Sequence, residues 1–337
     1  MPAAPLISVI IVNFNAGEWL SRSVQSVVDQ TLTDFECFIV DNGSTDGSLD
    51  ALPRLDERFS IIEAGKNLGF AAGNNLAAKQ AHGEWIALLN PDAFARPDWL
   101  EKLLAASRLA PNVTMVGSKQ FMALEPGIYD GLGDCLHVTG LAWRAGFGHA
   151  VVNKTNEAGL QSGEVFAPCA AAALYKRDAF EAAGGFDERF FCYHEDVDLG
   201  FRLRLAGGTC IQSDDAVVDH VSSGISGRAS DFAVYHGTRN RMWTFVKNMP
   251  GPLLFLLLPA HIALNLALLF WAMFRKGRFA PTFRGVRHGI KGLPPIWRSR
   301  KALHAARIAS SMDILSALAW SPIKVVTRGV HMIKPSK

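Results

Sequence analysis

Carboxylates and carboxamides follow the ends of four strand-like runs in the first hundred residues, the first of them β-branched. Asn13 and Asn15 follow the run at residues 6–12, Asp41 and Asn42 follow residues 35–40, Asn67 follows residues 60–63, and Asn90 and Asp92 follow residues 84–89. Any one of these loops has a plain conformational explanation, because Asn, Asp and Gly make turns. All four together point to a site: amides and carboxylates gathered on one edge offer the donors and acceptors that the base and ribose of a nucleotide need. A second acidic group, Glu195 and Asp196, precedes a helix-like stretch at 197–205 that stops at Gly207-Gly208. The dipole at a helix N-terminus favours ionised acids, which suits a general base, although acids there are also ordinary caps. Glu195 lies about 100° from Asp196 around a helix and fits a role in orienting a second substrate. Asp198, placed before Arg202 at i,i+4 spacing, fits a helical ion pair.

The elements that would carry these residues alternate. Helical spacing covers residues 18–30, 74–81 and 98–109, between the strand-like runs. Strand-helix alternation predicts a doubly wound sheet, with ligands beyond the carboxyl ends of its strands. Within the turn at 41–47, Ser44 or Asp46 is placed to cap a following helix, and Asn74 or Asn75 to cap the next. The glycines at 69–73 do not form a G-x-G-x-x-G fingerprint, so a dinucleotide enzyme is unsupported. Residues 13–17 lack the glycine-rich, arginine-containing loop that a nucleotidylyltransferase requires. Residues 120–170 contain Trp143, His149 and many glycines in no recognisable pattern.

With 337 residues, 49% hydrophobic and 19% charged, the chain can bury one large core or two modest ones and is not a disordered polymer. Its five cysteines include no C-x-x-C pair, which argues against a zinc knuckle or disulfide framework and fits a reducing compartment. Residues 1–6 lack the basic stretch of a secretion signal, so export is not expected. The net charge of +3 divides into about +13 from residue 275 onward and about −10 before it. A basic, apolar-rich tail suits an anionic membrane surface; no recognised nucleic-acid motif accompanies it, so nucleic acid is not an expected partner. The uncharged residues 248–274 are long enough to cross a bilayer. However, Pro259, His261 and Asn265 interrupt them, and a single crossing would put the basic tail on the wrong side. A re-entrant or in-plane hairpin is therefore expected. Ala305, Ile308, Met312, Leu315 and Ala319 share a helical face near Arg298, Arg300, Lys301 and Arg307, as in an interfacial helix. The competing reading is a helical subdomain packed on the rest of the chain or on a second subunit. The expected division is residues 1–250 and residues 251–337.

Five segments, in order, carry a resemblance. They are Ser8-Val-Ile-Ile-Val-Asn-Phe-Asn15, Val40-Asp-Asn-Gly-Ser-Thr-Asp-Gly-Ser48, Asn67-Leu-Gly-Phe-Ala-Ala-Gly-Asn-Asn75, Leu89-Asn-Pro-Asp92, and Gly185-Phe-Asp187 with His194-Glu-Asp-Val-Asp198. Together they resemble glycosyltransferase family 2, in its rhamnosyltransferase-like branch, over roughly residues 6–250. The resemblance implies a GT-A fold, an α/β domain with a nucleotide half and an acceptor half, and inversion at the anomeric carbon. It makes Asp41 the acid that binds the nucleobase, with Asn13 and Asn15 in the same pocket and Asn42, Asn67, Gly69 and Asn74 beside it. Asp92 corresponds to the ligand of a divalent metal, Mg²⁺ or Mn²⁺, although the family's first acid is replaced here by Asn90. Asp196 corresponds to the base. His220, ahead of Ser222-Ser-Gly, corresponds to a histidine that completes the metal shell. Tyr235, Arg239 and Asn240 match a further segment, in which Arg239 either contacts the diphosphate or neutralises a loop. The implied donor is a dTDP- or UDP-sugar, with rhamnose a candidate. The implied acceptor is a glycan or lipid-linked sugar at the cytoplasmic face of the inner (plasma) membrane, in cell-surface polysaccharide synthesis, with a homo-oligomer left open. The alternative is a non-catalytic membrane scaffold with a degenerate nucleotide-sugar fold.

Overall fold

The computed structural model describes residues 4–151, 162–222 and 230–333. Strands β1 (Ile7–Asn13), β2 (Phe35–Asp41), β3 (Phe59–Glu63) and β4 (Trp85–Leu89) alternate with helices α1 (Glu18–Val28) and α2 (Gly69–Ala78). Then come β5 (Ala93–Ala95), α3 (Trp99–Ser107), β6 (Val113–Met122), β7 (Tyr129–Gly131), β8 (Asp134–Leu136), β9 (Ala142–Arg144), β10 (Gly163–Val165) and β11 (Ala172–Lys176). Helices α4 (Arg177–Ala182) and α5 (Glu195–Leu205) precede the long strand β12 (Thr209–His220). The rest is helical: α6 (Asp231–Asn248), α7 (Gly251–Met273), α8 (Phe279–Lys291), α9 (Leu293–Ala305), α10 (Ser311–Ala317) and α11 (Pro322–Thr327).

The main sheet runs β10-β12-β6-β11-β4-β1-β2-β3. Its β3-β2-β1-β4 portion is parallel, as strand-helix alternation dictates, whereas β11 lies antiparallel between β4 and β6. Two apolar layers sandwich the sheet. On one side Leu20, Val24 and Val27 of α1 and Leu100 and Leu103 of α3 pack on Ile7, Val9 and Ile11; on the other, Phe180, Phe186 and Leu199 pack on Ile10, Ile86 and Leu88. Alternate residues of β1 thus serve opposite cores, so the strand is apolar from Val9 to Val12 without a break.

Several expected elements differ. No helix follows the turn at 41–47; Ser44 Oγ instead accepts from the Asn15 amide and Asp46 from the Gly17 amide, tying this turn to the end of β1. Helix α2 begins at Gly69, not at residue 74, because Asn67 Oδ1 accepts from the Gly69 amide at 2.8 Å and starts the first turn there. Asn74 and Asn75 are consequently interior residues, not caps. Asn74 donates to the Phe70 carbonyl, and Asn75 exchanges hydrogen bonds of 2.8 Å with the backbone of Phe186.

The tail also departs from expectation. Residues 251–273 form one helix through Pro259, not a hairpin. The polar residues that suggested a break face the protein: His261 Nδ1 meets the Thr139 carbonyl at 2.8 Å, and Asn265 Oδ1 accepts from Arg241 at 2.7 Å. Ala305 to Ala319 do not share one helix. The chain breaks after α9 because the Ile308 and Ala309 amides both donate to the Leu205 carbonyl, and a Ser310/Asp313 capping box restarts it as α10. One core joins Leu253, Leu254 and Leu257 of α7 and Ile314, Ala317 and Leu318 around α10 to Phe166, Val197 and Phe201. The tail helices thus pack directly on the layer that carries α5.

Candidate active site

The carboxyl ends of β1, β2 and β4, the β8-β9 hairpin and the N-terminus of α5 surround one cleft of about 700 Å³. The sequence-predicted residues Asn42, Asn67, Gly69, Asp92, Glu195, Asp196 and His220 line it. The remaining candidates do not line it. Asn13 pairs in register with Asp41 and donates to its Oδ1 at 2.9 Å, while Asp41 Oδ2 accepts from the amides of Gly43 and Ser44. Asn15 Oδ1 accepts from the Thr45 amide. These residues shape the floor at the strand ends, and Asn42 Nδ2 reaches from it to the Gly69 carbonyl at 3.1 Å.

Gly69, which the resemblance places beside the nucleobase pocket, is closely approached by Phe191. At φ +79° a Cβ on residue 69 would lie 2.6 Å from the Phe191 ring and 2.7 Å from its carbonyl oxygen. Arg239 is not on the cleft wall. Its guanidinium donates to the carbonyls of Arg189 and Phe190, and the Asn240 amide to those of Phe190, Cys192 and Tyr193. The segment they grip holds Phe191, Tyr193 and His194 at φ of 67°, 69° and 67°. Left-handed backbone is unfavourable for such residues, so α6 must hold this turn in place, and the turn presents Glu195 and Asp196.

Asp196 Oδ1 accepts from the Val197 amide at 2.8 Å and Oδ2 from the Ala170 amide at 3.4 Å. Burial is the largest influence on its carboxyl and pushes it above the usual carboxylate value; those amides and the Arg144 cation pull it partway back. The helix dipole alone predicted the opposite direction, but desolvation outweighs it here. Glu195 is pushed up more strongly by burial and then by the charge of Asp196. Asp134, which sequence reasoning missed, faces Asp196 and is raised by burial and by that same neighbour. Ligating atoms of Asp134, Cys169 and Asp196 lie within 4.8 Å of one another. Burial pushes the Cys169 thiol up to about 12, so it stays protonated and is a poor partner for a hard cation.

Asp92 and His220 make the better metal pair. His220 Nε2 lies 3.2 Å from Asp92 Oδ1, and its Nδ1 lies 2.8 Å from Asp130 Oδ2. A carboxylate behind a histidine is the usual support that aims the other ring nitrogen at a metal. The Asn90 Oδ1, buried and without a hydrogen-bond partner, adds an oxygen beside them. These donors fit a divalent cation. Burial lowers the His220 imidazole, but Asp92 and Asp130 prevail and push it up to about 9, so a cation would displace a proton there. Arg144, also missed, donates to Asp130 at 2.6 Å and supplies the positive charge between the two acidic groups. Acids at 130 and 134 and an arginine at 144, among glycines, were the available signal.

Fold and cleft together define an α/β protein of the GT-A-like kind, with a polar strand-end edge and an acid-bearing helix on one cleft. The Glycosyl transferase family 2 signature matches residues 8–184, and the chain belongs to that family. It is 27% identical over 259 residues to the N-acetylglucosaminyl-diphospho-decaprenol L-rhamnosyltransferase of Mycobacterium tuberculosis, covering 68% of this chain and 81% of that one. It is 32% identical over 121 residues to an uncharacterised glycosyltransferase of Haemophilus influenzae, covering 35% of this chain and only 38% of that protein's length. The O-antigen biosynthesis protein RfbC of Myxococcus xanthus is 31% identical over 218 residues, which are 60% of this chain and 16% of RfbC. Among solved structures, the mannosyltransferase PcManGT of Pyrobaculum calidifontis, in complex with GDP-Man and Mn²⁺, superposes with a TM-score of 0.51 at 17% identity, over 94% of this chain and 88% of that one. GalNAc-T7 with UDP, GalNAc and Mn²⁺ gives 0.54 at 14% identity, over 73% and 51%. Both likenesses concern the fold.

Proposed function

We propose that this chain is an inverting, divalent-metal-dependent glycosyltransferase. It moves a sugar, with rhamnose the leading candidate, from a dTDP- or UDP-linked donor to a lipid-linked glycan in cell-surface polysaccharide synthesis. The observation that carries this reading is the single cleft shared by Asp92 and His220 on one side and Glu195 and Asp196 on the other. Asn42, Asn67 and the floor built on Asn13 and Asp41 would receive the nucleoside. Asp92 and His220 would hold a divalent cation, which would supply positive charge to the departing diphosphate. Asp196 takes the proton of the acceptor hydroxyl while that oxygen bonds to the anomeric carbon; the bond from that carbon to the diphosphate oxygen breaks, and its electron pair leaves with the diphosphate. A carboxyl raised by burial is a stronger base than an ordinary one, provided it is ionised. Glu195, adjacent and buried, orients the acceptor.

The membrane reading rests on α7. Its polar face is spent on Thr139 and Arg241, while Phe255, Leu266, Phe270 and Phe274 are exposed, from 61% to 73%. A helix bonded along one side to the protein and bare and apolar along the other suits lying in the interface of the cytoplasmic leaflet, with the basic residues beyond 274 on anionic headgroups. The direct test is donor turnover with Mg²⁺ or Mn²⁺. Asp196→Asn should retain nucleotide binding and lose about 10²–10⁴-fold in transfer rate; full activity in that variant would remove the mechanism.

A further inference from the structure

Two arginines line the cleft, and only one is neutralised. Arg144 is paired with Asp130, whereas Arg328 forms no ion pair with any described carboxylate and lies over the Phe147 ring, 4.8 Å from its centroid. Its backbone is fixed from outside the tail. The Gly146 amide donates to the Arg328 carbonyl at 2.7 Å, Trp143 Nε1 to the Gly329 carbonyl at 3.1 Å, and His149 Nε2 meets the Thr327 carbonyl at 2.6 Å. At φ 53° Arg328 ends α11 in the left-handed conformation, which turns the chain at the cleft rim. Immediately before it come apolar side chains that nothing covers: Trp320, Ile323 and Val326 are 58%, 71% and 84% exposed. An uncompensated guanidinium at the mouth of an acid-lined cleft, next to an exposed apolar row, is complementary to a ligand with a phosphate at one end of a hydrocarbon chain.

We propose that Arg328 binds the phosphate of a lipid-linked acceptor, and that Trp320, Ile323 and Val326 form the apolar lip over which its hydrocarbon chain leaves the bilayer. The assignment deepens the transferase reading above and depends on it. Phosphate has a second source in this reaction, the donor diphosphate. Arg328 is anchored to the part of the wall built by the β8-β9 hairpin and the residues after it, through the Gly146 amide, the Trp143 indole at Gly329 and the Phe147 ring, whereas Asn42, Asn67 and Gly69 come from the strand-end elements. That favours the acceptor. With its phosphate held at the rim, the hydroxyl of an acceptor sugar points inward to Asp196.

The test uses the full chain in neutral detergent as wild type, Arg328→Gln and Arg328→Lys, titrated with farnesyl diphosphate, farnesol, and UDP or dTDP with Mn²⁺. Arg328→Gln should weaken farnesyl diphosphate by about tenfold to a hundredfold, as expected for one charge-assisted bidentate contact. It should leave farnesol and both nucleotides unchanged, and Arg328→Lys should recover part of the loss. Nucleotide affinity falling instead would place Arg328 on the donor and overturn the proposal, as would farnesyl diphosphate binding all three proteins equally or not binding wild type. A wild-type protein that binds neither nucleotide refutes the transferase reading itself, a separate result because farnesyl diphosphate plays no part in that measurement. In a second arm, Ile323→Asp with Val326→Asp should reduce farnesyl diphosphate affinity while sparing inorganic pyrophosphate; equal losses for both would refute the apolar lip.

Discussion

Lys247 is 4% exposed, and its ammonium joins two acids that flank the turn presenting Glu195 and Asp196: Asp187 Oδ2 at 2.7 Å and Asp198 Oδ2 at 2.9 Å. Lys247→Met keeps the length of the side chain and removes the charge. Each acid retains another partner, Arg189 for Asp187, and Arg202 at 2.8 Å with Asn248 for Asp198. The loss should therefore fall near the lower end for a broken buried ion pair, about 3 kcal/mol. In a chain of this size that is a drop of roughly 6 °C in melting temperature. Lys102→Met is the control: its pair with Asp98 spans 3.8 Å between half-exposed side chains and should cost under about 0.5 kcal/mol. Burial raises both Asp187 and Asp198, yet their cationic partners prevail and hold each below the usual carboxylate range. The network's contribution is thus complete above the unfolded carboxyl value of about 3.9 and is lost as pH falls through the lower folded values. The gap between wild type and Lys247→Met should accordingly close on acidification. Thermal and urea unfolding at pH 7 and at successively lower pH, down through the lowered folded values, measure it. A deficit at pH 7 below about 1 kcal/mol would refute the view that these charges hold the turn.

Gly69→Ala forces a side chain into Phe191 and adds strain at φ +79°; it should cut nucleotide affinity at least about tenfold in calorimetry, because the turn and α2 can no longer meet. Asp196 is faced by Asp134, Glu195, Cys169 and Arg144, and of these Arg144 is the cation that lowers its carboxyl. Arg144→Met should therefore push Asp196 further up and move the acidic limb of the kcat profile to higher pH; a limb that stays put or shifts to lower pH contradicts the assignment. Phe270→Asp with Phe274→Asp should abolish sedimentation with phosphatidylglycerol-containing vesicles while leaving nucleotide binding intact, and undiminished sedimentation would rule out α7 as the contact.

The half built on β1 to β4 was legible because its strands are short, mostly apolar runs, with helical spacing after β1 and before β4. Polar residues end each of them, so β1 to β4 fall within a residue or so of expectation. The other half hid for physical reasons. Strand β11, Ala172–Lys176, is alanine-rich and carries no β-branched residue, and the β8-β9 hairpin consists of strands too short for periodicity to register. Asp134 and Arg144 on that hairpin, and Asp130 on β7, gain meaning only when they fold beside α5 and His220. Arg239 illustrates the converse: its motif position was visible, but only coordinates reveal that it spends its hydrogen bonds on backbone carbonyls. His261 and Asn265 misled because tertiary partners absorb the polarity that sequence reads as interruption.

The floor of the cleft is set inside the sheet itself. Asn13 pairs with Asp41, and Asp41 with Glu63, as the last rungs of two parallel ladders. A slip of one rung would set Val40 or Asn42 against Asn13 and turn a buried polar contact toward the opposite layer. The spacing of these groups is therefore inherited from strand pairing, which tolerates no insertion. The loops beyond them are free to lengthen, shorten or change composition, and related chains can reshape what enters the cleft without rebuilding the platform on which it rests.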